Sequence, residues 1–159
     1  MARTSHRPAR THRMQVPPNS DLTLGMVCVD KSVPGRCTWR MRADERFANP
    51  AGIMQGGFLG AFADSAMGAA AVTFVAGRKV FAANAEMKIS FLGPVPAGAA
   101  LECTAEVVSG GARVAFVEAS IVARSGGGNG GGVEAGDLPA PEERLVARAS
   151  STYLFRDRA

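Results

Sequence analysis

The sequence predicts an α+β domain, one long central helix wrapped by an antiparallel sheet of about six strands. Three observations carry this. Residues 55–76, QGGFLGAFADSAMGAAAVTFVA, are apolar nearly all the way round, as expected of a helix buried on every side. Two alternating runs precede it and four strand-like runs follow it. Turn residues such as Pro34-Gly35 and Gly110-Gly111 separate neighbouring runs, as in hairpins.

In chain order, Leu22 to Asp30 alternates, with Leu22, Leu24, Met26 and Cys28 on one face. Arg36 to Arg42 places Cys37, Trp39 and Met41 inward, and the two runs make a hairpin with one wet face. Asp44 to Met54 is a loop with a turn at Asn49-Pro50. Gly77-Arg78-Lys79 is a basic stop after the helix. Val80 to Phe91 is a long strand. Unbroken alternation gives it one face with Phe81, Ala83, Ala85, Met87, Ile89 and Phe91, and another with Asn84, Glu86 and Lys88. Leu101 to Ser109, Arg113 to Arg124 and Arg144 to Phe155 complete the sheet. Its open edges invite pairing with a second copy.

Residues 1–20 read as a disordered basic extension and 21–159 as a single domain, with a Gly-rich loop at 125–143. The run GGGNGGG lacks the Lys-Ser/Thr end of a phosphate cradle. The net charge of +4 comes from Arg3, Arg7, Arg10 and Arg13, so the folded part is formally neutral. That argues against a nucleic-acid partner. The only histidines, His6 and His12, lie in the same tail. A Ser-His-Asp or Cys-His arrangement within the fold is thereby excluded, as is a histidine-based metal site. Three cysteines without CxxC spacing suggest a reduced compartment, and the cytoplasm is the expected location. The tail has no secretory signal, and the central helix reads as too short and too rich in Gly and Ala for a membrane span.

Candidate chemistry centres on Asp64, the only charged residue in the apolar helix. Gly60, Asp64 and Gly68 fall on one stripe, four residues apart. Either the glycines leave room beside a working carboxylate, or they let the helix lie close to the sheet while Asp64 bonds a neighbouring backbone. The helix begins at Gln55-Gly56-Gly57 without a Ser, Thr, Asp or Asn cap. Its first N–H groups can therefore hold an anion or a polarised carbonyl oxygen, or be satisfied by water or a loop carbonyl.

Asn49-x-x-Gly52-x-x-Gln55-Gly56-Gly57, followed by Asp64 in an apolar helix, resembles the signature of the PaaI-type hotdog-fold acyl-CoA thioesterases. The stretch 85–98, AEMKISFLGPVPAG, resembles the long strand and following turn of that family. The resemblance implies a hotdog fold, a homodimer or a dimer of dimers, and an active site between two protomers. Asn49 and the Gly56 N–H would hold the thioester carbonyl oxygen. Asp64 of the other protomer would be general base or nucleophile, assisted by Asn84 where relatives often carry Ser or Thr. Gln55, Gly57, Gly60 and Gly68 are the expected substrate-binding positions. No metal or redox cofactor is needed; coenzyme A enters as part of the substrate.

Two departures from the family pattern stand out. Gln55 replaces a frequent histidine, keeping a donor and losing the titration. Asn84 is a bulkier residue than the hydroxyl it replaces. The alternative function is a non-catalytic hotdog module that binds acyl-CoA or an acyl carrier. Glu86 reads as a solvated strand charge rather than a second member of the site. Lys88 and Arg113 are candidates for the coenzyme phosphates, although nothing in their spacing shows it.

Overall fold

The computed structural model describes residues 15–124 and 143–157. The order is α1 (Asn19–Leu24), β1 (Val27–Asp30), β2 (Arg36–Arg42), a 3-10 turn (Glu45–Phe47), α2 (Gly56–Phe74), β3 (Val80–Phe91), β4 (Ala100–Gly110), β5 (Val114–Arg124) and β6 (Glu143–Asp157). The strands form one antiparallel sheet in the order β1-β2-β4-β5-β6-β3, with α2 packed against it. This is the hotdog fold. The expectations for residues 1–14 and for the Gly-rich loop within 125–142 lie outside the described residues.

The alternation in β2 is as read: Cys37, Trp39 and Met41 are buried and the arginines point outward. These side chains meet the buried flank of α2, formed by Leu59, Phe62, Ala63, Ala66, Met67, Ala70 and Ala71. Four alanines on that flank let the helix lie close to the sheet. The Cys37 thiol bonds the Ala66 carbonyl at 3.0 Å. Burial pushes the Cys37 thiol up to about 11 and the Cys103 thiol up to about 12. Both therefore act as small apolar core residues.

Four expectations need correction. Leu22 to Asp30 is not one strand: Asn19–Leu24 is helical, Gly25 ends the helix at φ 67°, and only Val27–Asp30 pairs with β2. Six residues are too few to display a helical period, and the short alternation of Leu22, Leu24 and Met26 mimicked a strand. The helix α1 is tied down by Asp21, whose buried carboxylate accepts from Ser65 Oγ at 2.9 Å. Its first residues, Asn19 and Ser20, fall within the span expected to be extension.

Second, α2 is not buried on every side of the single chain. Gly57, Asp64 and Val72 lie on an uncovered flank, because β3 is an edge strand and the sheet does not close over the helix. Third, the 19 residues of α2 are long and apolar enough to cross a membrane on those measures alone. Its packing against β2 through β6, not its length, makes it a core helix.

The fourth correction concerns β3. Its bounds are as expected, but a β-bulge between Asn84 and Glu86 breaks the alternation. Asn84 pairs with Tyr153, whereas Glu86 pairs with Thr152. The extra residue turns Asn84 toward the helix while leaving Met87 and Ile89 on that same side. Asn84 and Glu86 thus face opposite sides of the sheet.

Candidate active site

The loop before α2 is built by Asn49. Its Oδ1 accepts from the N–H groups of Ala51 at 2.9 Å and Ile53 at 3.2 Å. The Gly52 N–H bonds the Asn49 carbonyl, and Gly52 takes φ 73°, a conformation that favours glycine. With Oδ1 so engaged, the amide Nδ2 is left as a donor without an acceptor among the described residues. Gln55 N–H bonds the Phe47 carbonyl at 2.9 Å, which seats the helix start.

Gln55 is the N-cap of α2, and its side chain makes no capping bond. Among the described residues the N–H groups of Gly56 and Gly57 have no acceptor. They lie at the positive end of a 19-residue helix. The Phe91 ring lies against Gly56, where a Cβ would come within 2.8 Å of a ring carbon.

Two turns along the helix, Asp64 Oδ1 accepts from Asn84 Nδ2 at 2.6 Å and from the Tyr153 hydroxyl at 3.1 Å. Asp64 Oδ2 has no donor among the described residues, and the residue is exposed in the single chain. Behind this pair, Ser151 Oγ lies 2.8 Å from Asn84 Oδ1 and 2.7 Å from the Glu86 carbonyl. A hydroxyl at Asn84 Oδ1 orients the amide so that its NH2 meets the carboxylate. Burial, and after it the negative charge of Asp64, hold the Tyr153 phenol far above its ordinary range. Tyr153 therefore remains a proton donor to Asp64 across the working pH range.

Beside the stripe glycines there is room for a Cβ at ordinary contact distance. A Cβ on Gly68 would meet the Tyr153 hydroxyl at 3.4 Å, and one on Gly60 would meet the Met87 methyl at 3.8 Å. Asp64 bonds side chains, rather than the neighbouring backbone that was the alternative. Glu86 lies on the outer face, exposed, and accepts from Thr152 Oγ1 at 2.6 Å, as a solvated charge. Lys88 is exposed on that same outer face, and Arg113 lies in the β4–β5 turn.

The structure thus brings Asp64 and Asn84 together and holds Asn49 beside the Gln55–Gly57 helix start. It does not bring the two groups together within one chain. Gly56 and Asp64 are eight residues apart, roughly 12 Å along a helix. Sequence reasoning missed Ser151 and Tyr153. The signal was there: with Phe155 they alternate onto the inward face of β6, and Tyr153 is the only tyrosine.

The thioesterase superfamily model matches residues 51–128. A thioesterase family protein from Silicibacter pomeroyi is 25% identical with a TM-score of 0.71, covering 87% of this chain and 89% of its own. A putative thioesterase from Ralstonia eutropha JMP134, described as phenylacetic acid degradation-related, is 26% identical with a TM-score of 0.68 over 90% and 93%.

The chain has the hotdog fold and resembles the PaaI-type thioesterases.

The PaaI protein of E. coli, from the phenylacetic acid degradation operon, shares the hotdog fold at 20% identity. Its TM-score is 0.70, covering 87% of this chain and 84% of its own. No curated protein matches the chain in sequence. The segment matched by the thioesterase superfamily model carries the helix start, Asp64 and Asn84, whereas Ser151 and Tyr153 lie beyond it.

Proposed function

We propose that this chain hydrolyses an acyl-CoA thioester to free acid and coenzyme A, with Asp64 as general base or nucleophile. The observation that carries the reading is the asymmetry of the Asp64 carboxylate. Oδ1 is held by Asn84 and Tyr153, and Oδ2 faces the open flank with no donor among the described residues. As a base, Oδ2 takes a proton from water while the water oxygen adds to the thioester carbon. The carbonyl oxygen then becomes an oxyanion, and the C–S bond breaks as the carbonyl re-forms. The thiolate leaves and is protonated to the free thiol. As a nucleophile, Oδ2 would instead form a mixed anhydride that water hydrolyses.

The Gly56 N–H and Asn49 Nδ2 are the donors for the oxyanion. They serve the Asp64 of a partner protomer, since about 12 Å separates them from the Asp64 of their own chain and reacting atoms must approach to roughly 3–3.5 Å. The edge strand β3 and the open flank of α2, with Phe91 exposed, support pairing there in a homodimer or a dimer of dimers. Gln55 and Gly57 border the carbonyl site, and Gly60 and Gly68 seat the side chains that frame Asp64. The chemistry requires no metal or redox cofactor, no nucleic acid and no membrane, and it suits the cytoplasm.

Asp64→Asn tests the reading. Turnover should fall by roughly 10²–10⁴-fold while acyl-CoA binding survives. Wild-type protein that binds acyl-CoA and releases no thiol, with short, long and aromatic acyl groups alike, would make it a binding module.

A further inference from the structure

The seam between α2 and the edge strand β3 has an unassigned apolar end. Three contacts define its course: Phe91 against Gly56, Met87 against Gly60 and Asn84 against Asp64. Beyond Asp64, toward the C-terminus of α2, the seam opens into a groove of about 380 Å³. Its walls are Val72, Val75 and Ala76 from the helix side and Val80, Phe81 and Ala82 from the strand side. Val72 is 57% exposed, a costly arrangement for a large apolar side chain without an occupant.

The groove continues the site. Asp64, Gly68 and Val72 are successive members of one helical row. On the strand, Ala82 lies two residues before Asn84 and partly packs on the core. Arg78 is the only charged residue on the lining. Its guanidinium is already engaged by the Ala112 carbonyl and lies 5.6 Å over the Phe155 ring. The rest of the lining offers no charge to an acidic or strongly polar tail.

We propose that this groove receives the acyl chain of the substrate, and that the acyl group is an unbranched aliphatic chain of medium length. This rests on the thioesterase reading above and adds the substrate class. Val72 lies roughly 12 Å from Asp64 along the helix, and Ala76 roughly 18 Å. A saturated chain advances about 1.25 Å per methylene, from a 1.52 Å bond and an angle near 111°. A chain of about ten carbons therefore reaches Val72, and one of about fourteen reaches Ala76. An acetyl or arylacetyl group stops short of the groove.

The test is a straight-chain acyl-CoA series from two to sixteen carbons, read by both binding and thiol release, on the wild-type chain, Val72→Trp and Ala76→Phe. Wild-type kcat/KM should rise up to about fourfold per methylene once the chain enters the groove, then level off. Val72→Trp should lower the ratio of twelve-carbon to four-carbon kcat/KM at least tenfold. Ala76→Phe should lower only the ratio for the longest chains, and light scattering should show the wild-type assembly in both. Equal losses at all chain lengths, or a changed assembly with unchanged selectivity, would make the groove a subunit contact and overturn the proposal. Turnover without chain-length dependence overturns the groove and leaves the thioesterase standing. Chain-length-dependent binding without turnover supports the groove and removes the thioesterase.

Discussion

Asn84 donates to Asp64 Oδ1 at 2.6 Å only because a β-bulge has turned it to the helix side of the sheet. Strict alternation along β3 would put Asn84 on the outer face with Glu86. The bulge rotates one amide inward without disturbing Met87, which packs toward Gly60, or Ile89, which packs on the core. The rest of the seam is kept, and the carboxylate gains a donor.

The second donor gives a separable prediction. Tyr153→Phe keeps the buried ring and removes the hydroxyl that reaches Asp64 Oδ1 at 3.1 Å. Hydrogen bonds to charged groups contribute about 1.5–3 kcal/mol, so kcat should fall by roughly 10–100-fold. KM should change little, and the melting temperature should fall by a few degrees. Steady-state kinetics beside a thermal melt checks this; an unchanged kcat would reduce Tyr153 to a packing residue.

Two glycines of α2 should respond oppositely to alanine. At Gly60 the new Cβ would make an ordinary 3.8 Å contact with the Met87 methyl. Gly60→Ala should therefore stabilise the fold by up to about 1 kcal/mol through helix propensity. At Gly56 the Cβ would lie 2.8 Å from the Phe91 ring, so the ring must move off the helix start. Gly56→Ala should lower turnover without a gain in melting temperature. Denaturant melts and initial rates on both variants separate the cases.

The core thiols set an alkaline limit. Burial holds Cys37 at about 11 and Cys103 at about 12, above the ordinary value of 9.0. The folded state thus favours the protonated thiols. Their contribution to stability is complete below pH 9 and is lost as pH rises through 11 to 12. In the native protein at pH 8, a thiol reagent should label Cys28 well before Cys37 or Cys103. Rapid labelling of all three would show that the core opens readily.

Much of this architecture was legible in the sequence, and what escaped has physical causes. The strong period of β2, the bounds of β3 and the long apolar run of α2 stand as read, because burial writes itself into alternation and into helical stripes. Asp64 and the uncapped Gln55-Gly56-Gly57 start stood out as polar breaks in apolar surroundings. The helix α1 was hidden by its brevity. The bulge was hidden because one extra residue leaves composition unchanged. Ser151 and Tyr153 were hidden because they reach the site through cross-strand register, which a linear pattern does not carry. The exposed flank of α2 escaped because an apolar face awaiting a partner or a substrate reads the same as a buried one.

The central claim is that Asn49 and Gly56 of one protomer work with Asp64 of another. Subunit exchange between Asn49→Ala and Asp64→Asn tests it most directly, each variant being nearly inactive alone. Re-pairing equal amounts makes about half the dimers mixed, and in each of those one site carries both substitutions and the other neither. Thiol release should recover to roughly a quarter of the wild-type rate, for independent sites in a two-fold dimer. No recovery after verified exchange would contradict the account, because both residues would then serve one site from a single chain.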